Sequence, residues 1–376
     1  MSGKGERVNK PETAWVVGGG TAGHIEPALA VGEALRRLRP SVDVRAVGTP
    51  RGMESRIVPE RGFTLELVDP VPLPRTVNMD LFKLPYRLVK AIAGTRALLR
   101  KTRPSVIIGF GGYACVPVYL AMMLTRRRPP IVVHEANASA GLANKLGVRV
   151  ADAVMAAVPG SGLTGAEVVG NPVRDAITGL DRAGLRAAAR SFFGLGESGP
   201  VVLVFGGSQG AATLNAAFAG AADDLRRAGV GVIHATGEGK EFELADLSGD
   251  TSAGYAQVPY IKRMDFAYAA ADLVVCRSGA ITVAEVSATG LPAVFVPLPI
   301  GNGEQALNAK SLVDSGAALQ VADADFDADY LRDTVIPLAT DETALGAMTA
   351  TAMSSDSRSA ADKVARTALA LMDARD

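Results

Sequence analysis

The sequence predicts an α/β chain folded as two doubly wound parallel-sheet domains, and three observations carry that expectation. Short apolar runs alternate with segments of helical periodicity, the alternation starts afresh near the middle, and 376 residues exceed what one core usually holds. In order, Ala14 to Gly18 reads as a buried strand, and after a glycine turn Pro27 to Leu38 has helical periodicity. The pattern returns at Ser105 to Gly109 and at Ile131 to His134. A second set runs through Val201 to Phe205, Gly231 to Ala235, Leu273 to Cys276 and Ala293 to Pro297. The hinge falls at Gly170-Asn171-Pro172-Val173-Arg174, because the proline bars helix there. This predicts domains over 1–172 and 173–356. The tail 357–376 reads as a helix, with Ala360, Val364, Leu369 and Leu371 at apolar positions, and its own pattern does not say which domain it joins.

Composition excludes several function classes. Lys plus Arg and Asp plus Glu both total 39, so no global charge draws the chain to nucleic acid, and an electrostatic partner needs a local patch. Cys115 and Cys276 lie far apart without metal-ligand spacing, as packing residues in a reducing cytosol would. The start, with Lys4, Arg7 and Lys10, reads as a polar tail and not as a signal peptide. No apolar run reaches the roughly 18 residues of a spanning helix, which leaves peripheral membrane contact as the expectation.

Three glycine turns follow strands. Gly18, Gly20 and Gly23 satisfy GxGxxG, a loop that brings backbone amides and a helix N-terminus to a phosphate. The acid that a dinucleotide domain offers after its second strand is missing, since Asp43 starts that strand and does not end it. Gly109-Phe110-Gly111-Gly112-Tyr113 and Gly206-Gly207-Ser208-Gln209-Gly210 are the other two turns. Loops at the carboxyl ends of two sheets define a ligand cleft between the domains. Ahead of a further helix, Thr282 and Glu285 have capping-box spacing, while the same carboxylate could take a ribose diol.

The stretches GGGTAGHIEPALA, GFGGY, HEANASAGLANK, GNPVR, GGSQGAATLN, CRSGAITVAE and GEQALNA, spread from about Val16 to Ala318, resemble the MurG glycosyltransferases of peptidoglycan synthesis. The resemblance implies two Rossmann-like domains in the glycosyltransferase-B arrangement, with the last helix returning to the N-terminal domain. It implies transfer of N-acetylglucosamine from UDP-N-acetylglucosamine to the 4-hydroxyl of the muramyl sugar in lipid I, giving lipid II at the cytoplasmic face of the membrane. Carried over position by position, it implies donor contacts from Thr21, Ala22, Gly23, Asn137, Arg174, Ser208, Ile261, Ala280, Ile281, Thr282, Val283, Ala284, Glu285 and Gln305. Acceptor contacts would come from Gly20, Gly111, Gly112 and Tyr113. Two positions depart from the pattern: Ala22 stands where glycine is usual and narrows that pocket, and Glu304 replaces a glutamine.

An inverting transfer needs one base and one stabilised leaving group. His24 is the candidate base, at the end of the first glycine loop, with bracing of an acceptor phosphate as its other reading. Glu135 is the fallback, and His234, in an apolar strand, reads as structural. The resemblance sets helix termini and Arg174 against the departing diphosphate or the sugar, and if they neutralise the diphosphate neither a metal nor a cofactor is required. Asp323, Asp325 and Asp327 read as caps or solvated acids. The basic run Arg75, Lys83, Arg87, Lys90, Arg96, Arg100, Lys101 and Arg103, interleaved with apolar residues, suggests an anionic membrane surface, with a core helix as the competing reading. A nonhydrolysing UDP-N-acetylglucosamine 2-epimerase and a non-catalytic nucleotide-sugar sensor are the rival functions.

Overall fold

In the computed structural model, which describes residues 12–71, 79–207, 209–244, 253–300, 303–353 and 356–375, without the side chains of 79–83 and 356–357, seven parallel strands form the first sheet. They are β1 (Thr13–Val17), β2 (Asp43–Gly48), β3 (Thr64–Leu67), β4 (Val106–Gly109), β5 (Ile131–Glu135), β6 (Ala153–Ala156) and β7 (Glu167–Val168). Their order is β3-β2-β1-β4-β5-β6-β7. Val17 pairs with Val47 on one side and with Gly109 on the other. The order reverses between β1 and β4, so the loops leaving these two strands diverge and open a crevice at their carboxyl ends.

Both faces are covered, as an all-parallel sheet requires. Ala14 and Val16 point into one core and Trp15 and Val17 into the other. On the first face lie α1 (Ala22–Leu38), α2 (Glu54–Glu60) and the C-terminal helix Ala360–Asp373. The second face carries α3 (Met79–Thr102), α4 (Cys115–Met123) and α5 (Leu142–Gly147). The C-terminal helix buries Ala361, Val364, Ala365, Ala368 and Met372, and Arg39 grips Asp373 through two 2.8 Å hydrogen bonds. Arg37 pairs with Asp362 on the same seam.

The second sheet has six parallel strands, β8 (Val201–Phe205), β9 (Gly231–Ala235), β10 (Tyr255–Val258), β11 (Leu273–Cys276), β12 (Ala293–Phe295) and β13 (Ala318–Gln320). The order β10-β9-β8-β11-β12-β13 repeats the doubly wound plan, with its reversal between β8 and β11. The chain divides into two compact units, Met1–Arg174 with Ser359–Asp376, and Asp175–Arg358.

Two local expectations are corrected. The first helix starts at Ala22, five residues before Pro27, so His24 lies in its first turn and not at a loop end. Pro27 lies in the second turn of this helix, where it supplies no intrahelical donor. The basic run from Arg75 to Arg103 is also drawn out along a helix. Arg75 is outside the described residues, and the rest is strung along α3, whose 24 residues span about 36 Å at 1.5 Å per residue.

Candidate active site

The first unit's crevice is built from loops that glycine makes possible. Phe110 N donates to the Val17 carbonyl, which draws the β4 loop against the β1 loop. Gly112 has φ +78°, and a Cβ there would stand 2.2 Å from the Gly19 carbonyl oxygen. A Cβ on Gly19 would stand 2.6 Å from Glu54 Oε1. Glu54, at the start of α2, is fully buried and accepts from Thr49 N and Thr49 Oγ1 at 2.7 Å and from Gly20 N at 3.2 Å. The Gly20 amide is therefore spent on the protein itself. Ala22 and Gly23 occupy the opening turn of α1, where amides lack intrahelical acceptors. Thr21 and Tyr113 are exposed.

His24 Nδ1 lies 2.9 Å from the Phe110 carbonyl oxygen. A carbonyl only accepts, so Nδ1 carries the proton and Nε2 keeps its lone pair. Burial lowers the imidazole's pKa below the usual range, against the opposing pull of Glu135 and of the Phe110 carbonyl. The ring is therefore neutral near pH 7 and competent as a base through Nε2. Gly111 sits between this ring and Asn144, since a Cβ there would lie 3.3 Å from His24 Cε1 and 3.2 Å from Asn144 Nδ2.

Glu135 has a different occupation. It is buried and accepts from Asn137 N at 3.0 Å, Asn137 Nδ2 at 3.3 Å, Gly141 N at 3.1 Å and Asn144 Nδ2 at 2.9 Å. Four donors fix this carboxylate as the organiser of the β5 loop. Its neighbour His134 donates from Nε2 to the Gly170 carbonyl at 2.9 Å, and burial pulls its pKa down to about 4.

In the second unit, the helix Ala280–Thr289 follows β11 with Gly279 at its N-cap and no side-chain cap. The capping-box reading of Thr282 and Glu285 is thereby overturned, because Thr282 lies inside the helix and not at its cap. Glu285 is a full turn further in, buried, and accepts from Tyr268 Oη at 3.0 Å. Ala280, Ile281 and Thr282 present first-turn amides, while Val283 and Ala284 are buried. Arg277 ahead of them pairs with Asp323 at 2.5 Å and donates to the Val296 carbonyl at 3.1 Å.

Gln305 Oε1, in the first turn of the helix Glu304–Asp314, accepts from Leu298 N at 3.0 Å. Ile261 is buried, Arg174 is half-buried, and Ser208 lies outside the described residues. His234 donates to Asn215 Oδ1 at 3.0 Å and accepts from Tyr255 Oη at 2.8 Å, a wholly structural engagement. Of the three aspartates, Asp323 holds Arg277 and Asp327 caps a helical turn through Tyr330 N at 2.9 Å.

The sequence reading missed Glu54, Asn144, Tyr268 and Asn308, the last donating to the Ser278 carbonyl at 3.3 Å. It also missed Asn171, buried with neither side-chain polar atom hydrogen bonded. The glycines Gly48 and Gly52 shortly before Glu54 were the one local signal available, since each packs on its side chain.

Models of the glycosyltransferase family 28 N-terminal and C-terminal domains match residues 15–156 and 201–364. A UDP-N-acetylglucosamine--N-acetylmuramyl-(pentapeptide) pyrophosphoryl-undecaprenol N-acetylglucosamine transferase of Nocardia farcinica is 57% identical over 358 residues, 94% of each chain. The chain belongs to glycosyltransferase family 28. The like-named protein of Mycolicibacterium smegmatis is 56% identical over 357 residues, 94% of this chain and 92% of that one. A crystal structure of Acinetobacter baumannii MurG matches with a TM-score of 0.73 at 28% identity, covering 96% of this chain and 100% of that one. The S. aureus MnaA-UDP co-structure, at 12% identity and a TM-score of 0.64 over 94% of each chain, shares the fold alone. The resemblance to the MurG glycosyltransferases and the expectation of two parallel-sheet domains are both borne out. Both reversal points of this family 28 chain carry the glycine turns that its sequence singled out.

Proposed function

We propose that the chain is an inverting glycosyltransferase that moves N-acetylglucosamine from UDP-N-acetylglucosamine to the 4-hydroxyl of the muramyl sugar of lipid I, forming lipid II. The near-complete match to transferases of that name carries this reading. His24 supplies the base: its Nε2 takes the proton of the acceptor hydroxyl as the oxygen bonds to the anomeric carbon. The Phe110 carbonyl and the Glu135 charge stabilise the imidazolium that forms. The bond from that carbon to the diphosphate breaks, and its electron pair leaves on phosphate oxygen. Amides opening the helix Ala280–Thr289 and the Arg174 guanidinium receive this charge, while Glu285 accepts the ribose hydroxyls. The acceptor diphosphate lies against the amides around Gly111, Gly112 and Tyr113.

Membrane attachment is peripheral, at the cytoplasmic face, through the first half of α3. Among the described residues no helix is long and apolar enough to span a bilayer. Tyr86, Val89 and Leu142 are exposed by 74%, 67% and 69%, beside an apolar groove lined by Leu84, Leu88, Val116 and Leu120 and edged by Lys145 and Arg149. Apolar side chains ringed by cations suit an anionic bilayer surface.

The test is incubation with labelled UDP-N-acetylglucosamine, with and without a soluble lipid I analogue. Label reaching a disaccharide only when the acceptor is present is the expected outcome. Donor turnover without acceptor would reassign the chain to epimerisation.

A further inference from the structure

At the end of the first sheet opposite the glycine loops, the chain segments entering β4 and β5 enclose a cavity of about 690 Å³. Six arginines line it: Arg96, Arg100, Arg103, Arg127, Arg128 and Arg375. They come from the last turns of α3, the connection from α4 to β5, and the end of the C-terminal helix. Between them lies an apolar floor of Leu99, Met122, Pro130 and Met372. No acid is among the lining residues. Arg128 pairs with Asp152 at 2.6 Å outside the cavity, and Arg375 donates to the Arg128 carbonyl. Among the described residues, Arg96, Arg100, Arg103 and Arg127 have no acidic partner. In a chain with 39 cations balanced by 39 anions, such a concentration is local, and Asp152, beside Arg128 and Arg375, offsets only part of it.

Arg103 adds an independent observation. Its φ is +50°, and it is the one non-glycine residue with positive φ among the described residues. It caps α3, its amide donating to the Leu99 carbonyl at 2.8 Å, at a position where left-handed backbone favours glycine. A side chain held there at a conformational cost ends in the cavity wall.

We propose that this cavity binds a soluble di- or polyphosphate anion. Guanidinium forks match phosphate oxygens two at a time, and several converging arginines recognise a phosphate-dense group better than a single phosphate. A soluble source is favoured over a lipid headgroup because the exposed apolar residues of α3 lie at its other end. Tyr86 and Arg100 are 14 positions apart, about 21 Å along the helix. That preference rests on the membrane face given under Proposed function.

The experiment is calorimetric titration of the full chain with inorganic tripolyphosphate. It compares wild type with an Arg100→Gln, Arg103→Gln, Arg127→Gln triple variant and with Arg103→Gly alone. Binding surviving in the triple variant belongs to the glycine-loop diphosphate sites. The cavity component should weaken at least tenfold in the triple variant and measurably in Arg103→Gly. Arg103→Gly should melt no lower than wild type, since glycine relieves the backbone, so its loss of binding cannot be a loss of fold. Superimposable isotherms for wild type and both variants would overturn the proposal. Flotation with phosphatidylglycerol vesicles separates the sources. The triple variant should float as wild type does, while Tyr86→Ser with Leu142→Ser should not float yet should keep its tripolyphosphate binding. A triple variant that lost only vesicle binding would overturn the soluble assignment, and a Tyr86, Leu142 variant that still floated would overturn the membrane face instead.

Discussion

The two units share a doubly wound plan and a glycine turn at each reversal of strand order, yet they brace the loops leaving their strands with opposite charge. In the first unit, buried carboxylates sit behind the loops and collect backbone amides: Glu54 takes those of Thr49 and Gly20, and Glu135 takes those of Asn137 and Gly141. In the second, the buried Arg277 donates to the carbonyl oxygens of Val296 and Pro297, with Asp323 as its counter-ion. The consequence is chemical. The Glu135 charge holds up the basicity of His24 against its burial, whereas the helix-opening amides of the second unit suit a diphosphate.

The largest effect should come from removing the base. His24→Ala should lower kcat by roughly 10² to 10⁴, the range of general-base catalysis, with the donor KM nearly unchanged. Because burial depresses the His24 pKa, the acid limb of the wild-type rate profile should lie below the ordinary imidazole range and vanish in the variant. Steady-state kinetics on a soluble lipid I analogue between pH 5 and 8 checks both. A variant with near-normal kcat and a raised acceptor KM would assign His24 to bracing phosphate.

Next comes Glu54, whose side chain the first unit cannot lose quietly. Glu54→Ala strands the Thr49 amide and hydroxyl and the Gly20 amide in a dry site, at about 1–3 kcal/mol for each unpaired donor. Thermal unfolding should show a transition lowered by several degrees, with donor affinity in the second unit altered less than acceptor KM. Equal damage to both would remove the distinction between the two bracing schemes.

Acid should then weaken both units through their buried histidines. Burial holds His134 and His234 each at about 4, below the ordinary 6.5, so the folded state favours the neutral ring. The stability they contribute is complete above 6.5 and is lost as pH falls from 6.5 towards 4, up to about 3 kcal/mol for each ring. The units differ in what protonation would meet. His134 Nδ1 has no partner, while His234 Nδ1 faces the Tyr255 hydroxyl, which can turn to accept. Hydrogen exchange between pH 7 and 5 should therefore report earlier opening around β5 than around β9.

How much of this was legible in the sequence follows a physical line. Strands such as Val201 to Phe205 were read to the residue because a run buried on both faces needs uninterrupted apolar side chains. The glycine turns were legible because only glycine tolerates backbone packed against backbone, as Gly112 is against Gly19. Glu54 was not legible, since its meaning depends on an amide 34 positions away. The basic run was legible as charge but not as two ends of one helix, because sequence order hides the 36 Å that α3 puts between them.

Glu285 should give the smallest effect, and it separates ligand contact from local structure. Its capping role is gone, and its carboxylate accepts from the Tyr268 hydroxyl. Glu285→Gln keeps the length of the side chain and an oxygen that can still accept from Tyr268 Oη, so the melting temperature should move little. A neutral amide is a weaker acceptor for two ribose hydroxyls than a carboxylate, by about 1–2 kcal/mol, because hydrogen bonds to charged groups are the stronger class. The donor KM should therefore rise about tenfold while kcat stays within a few-fold, the signature of binding lost equally from ground and transition states. Tyr268→Phe supplies the cross-check: it removes that one hydrogen bond without changing the carboxylate's charge, so it should raise the donor KM less than Glu285→Gln does. If instead Tyr268→Phe is the more damaging of the two, the carboxylate matters as a packing partner of Tyr268, and the ribose contact has to be sought elsewhere along the helix Ala280–Thr289.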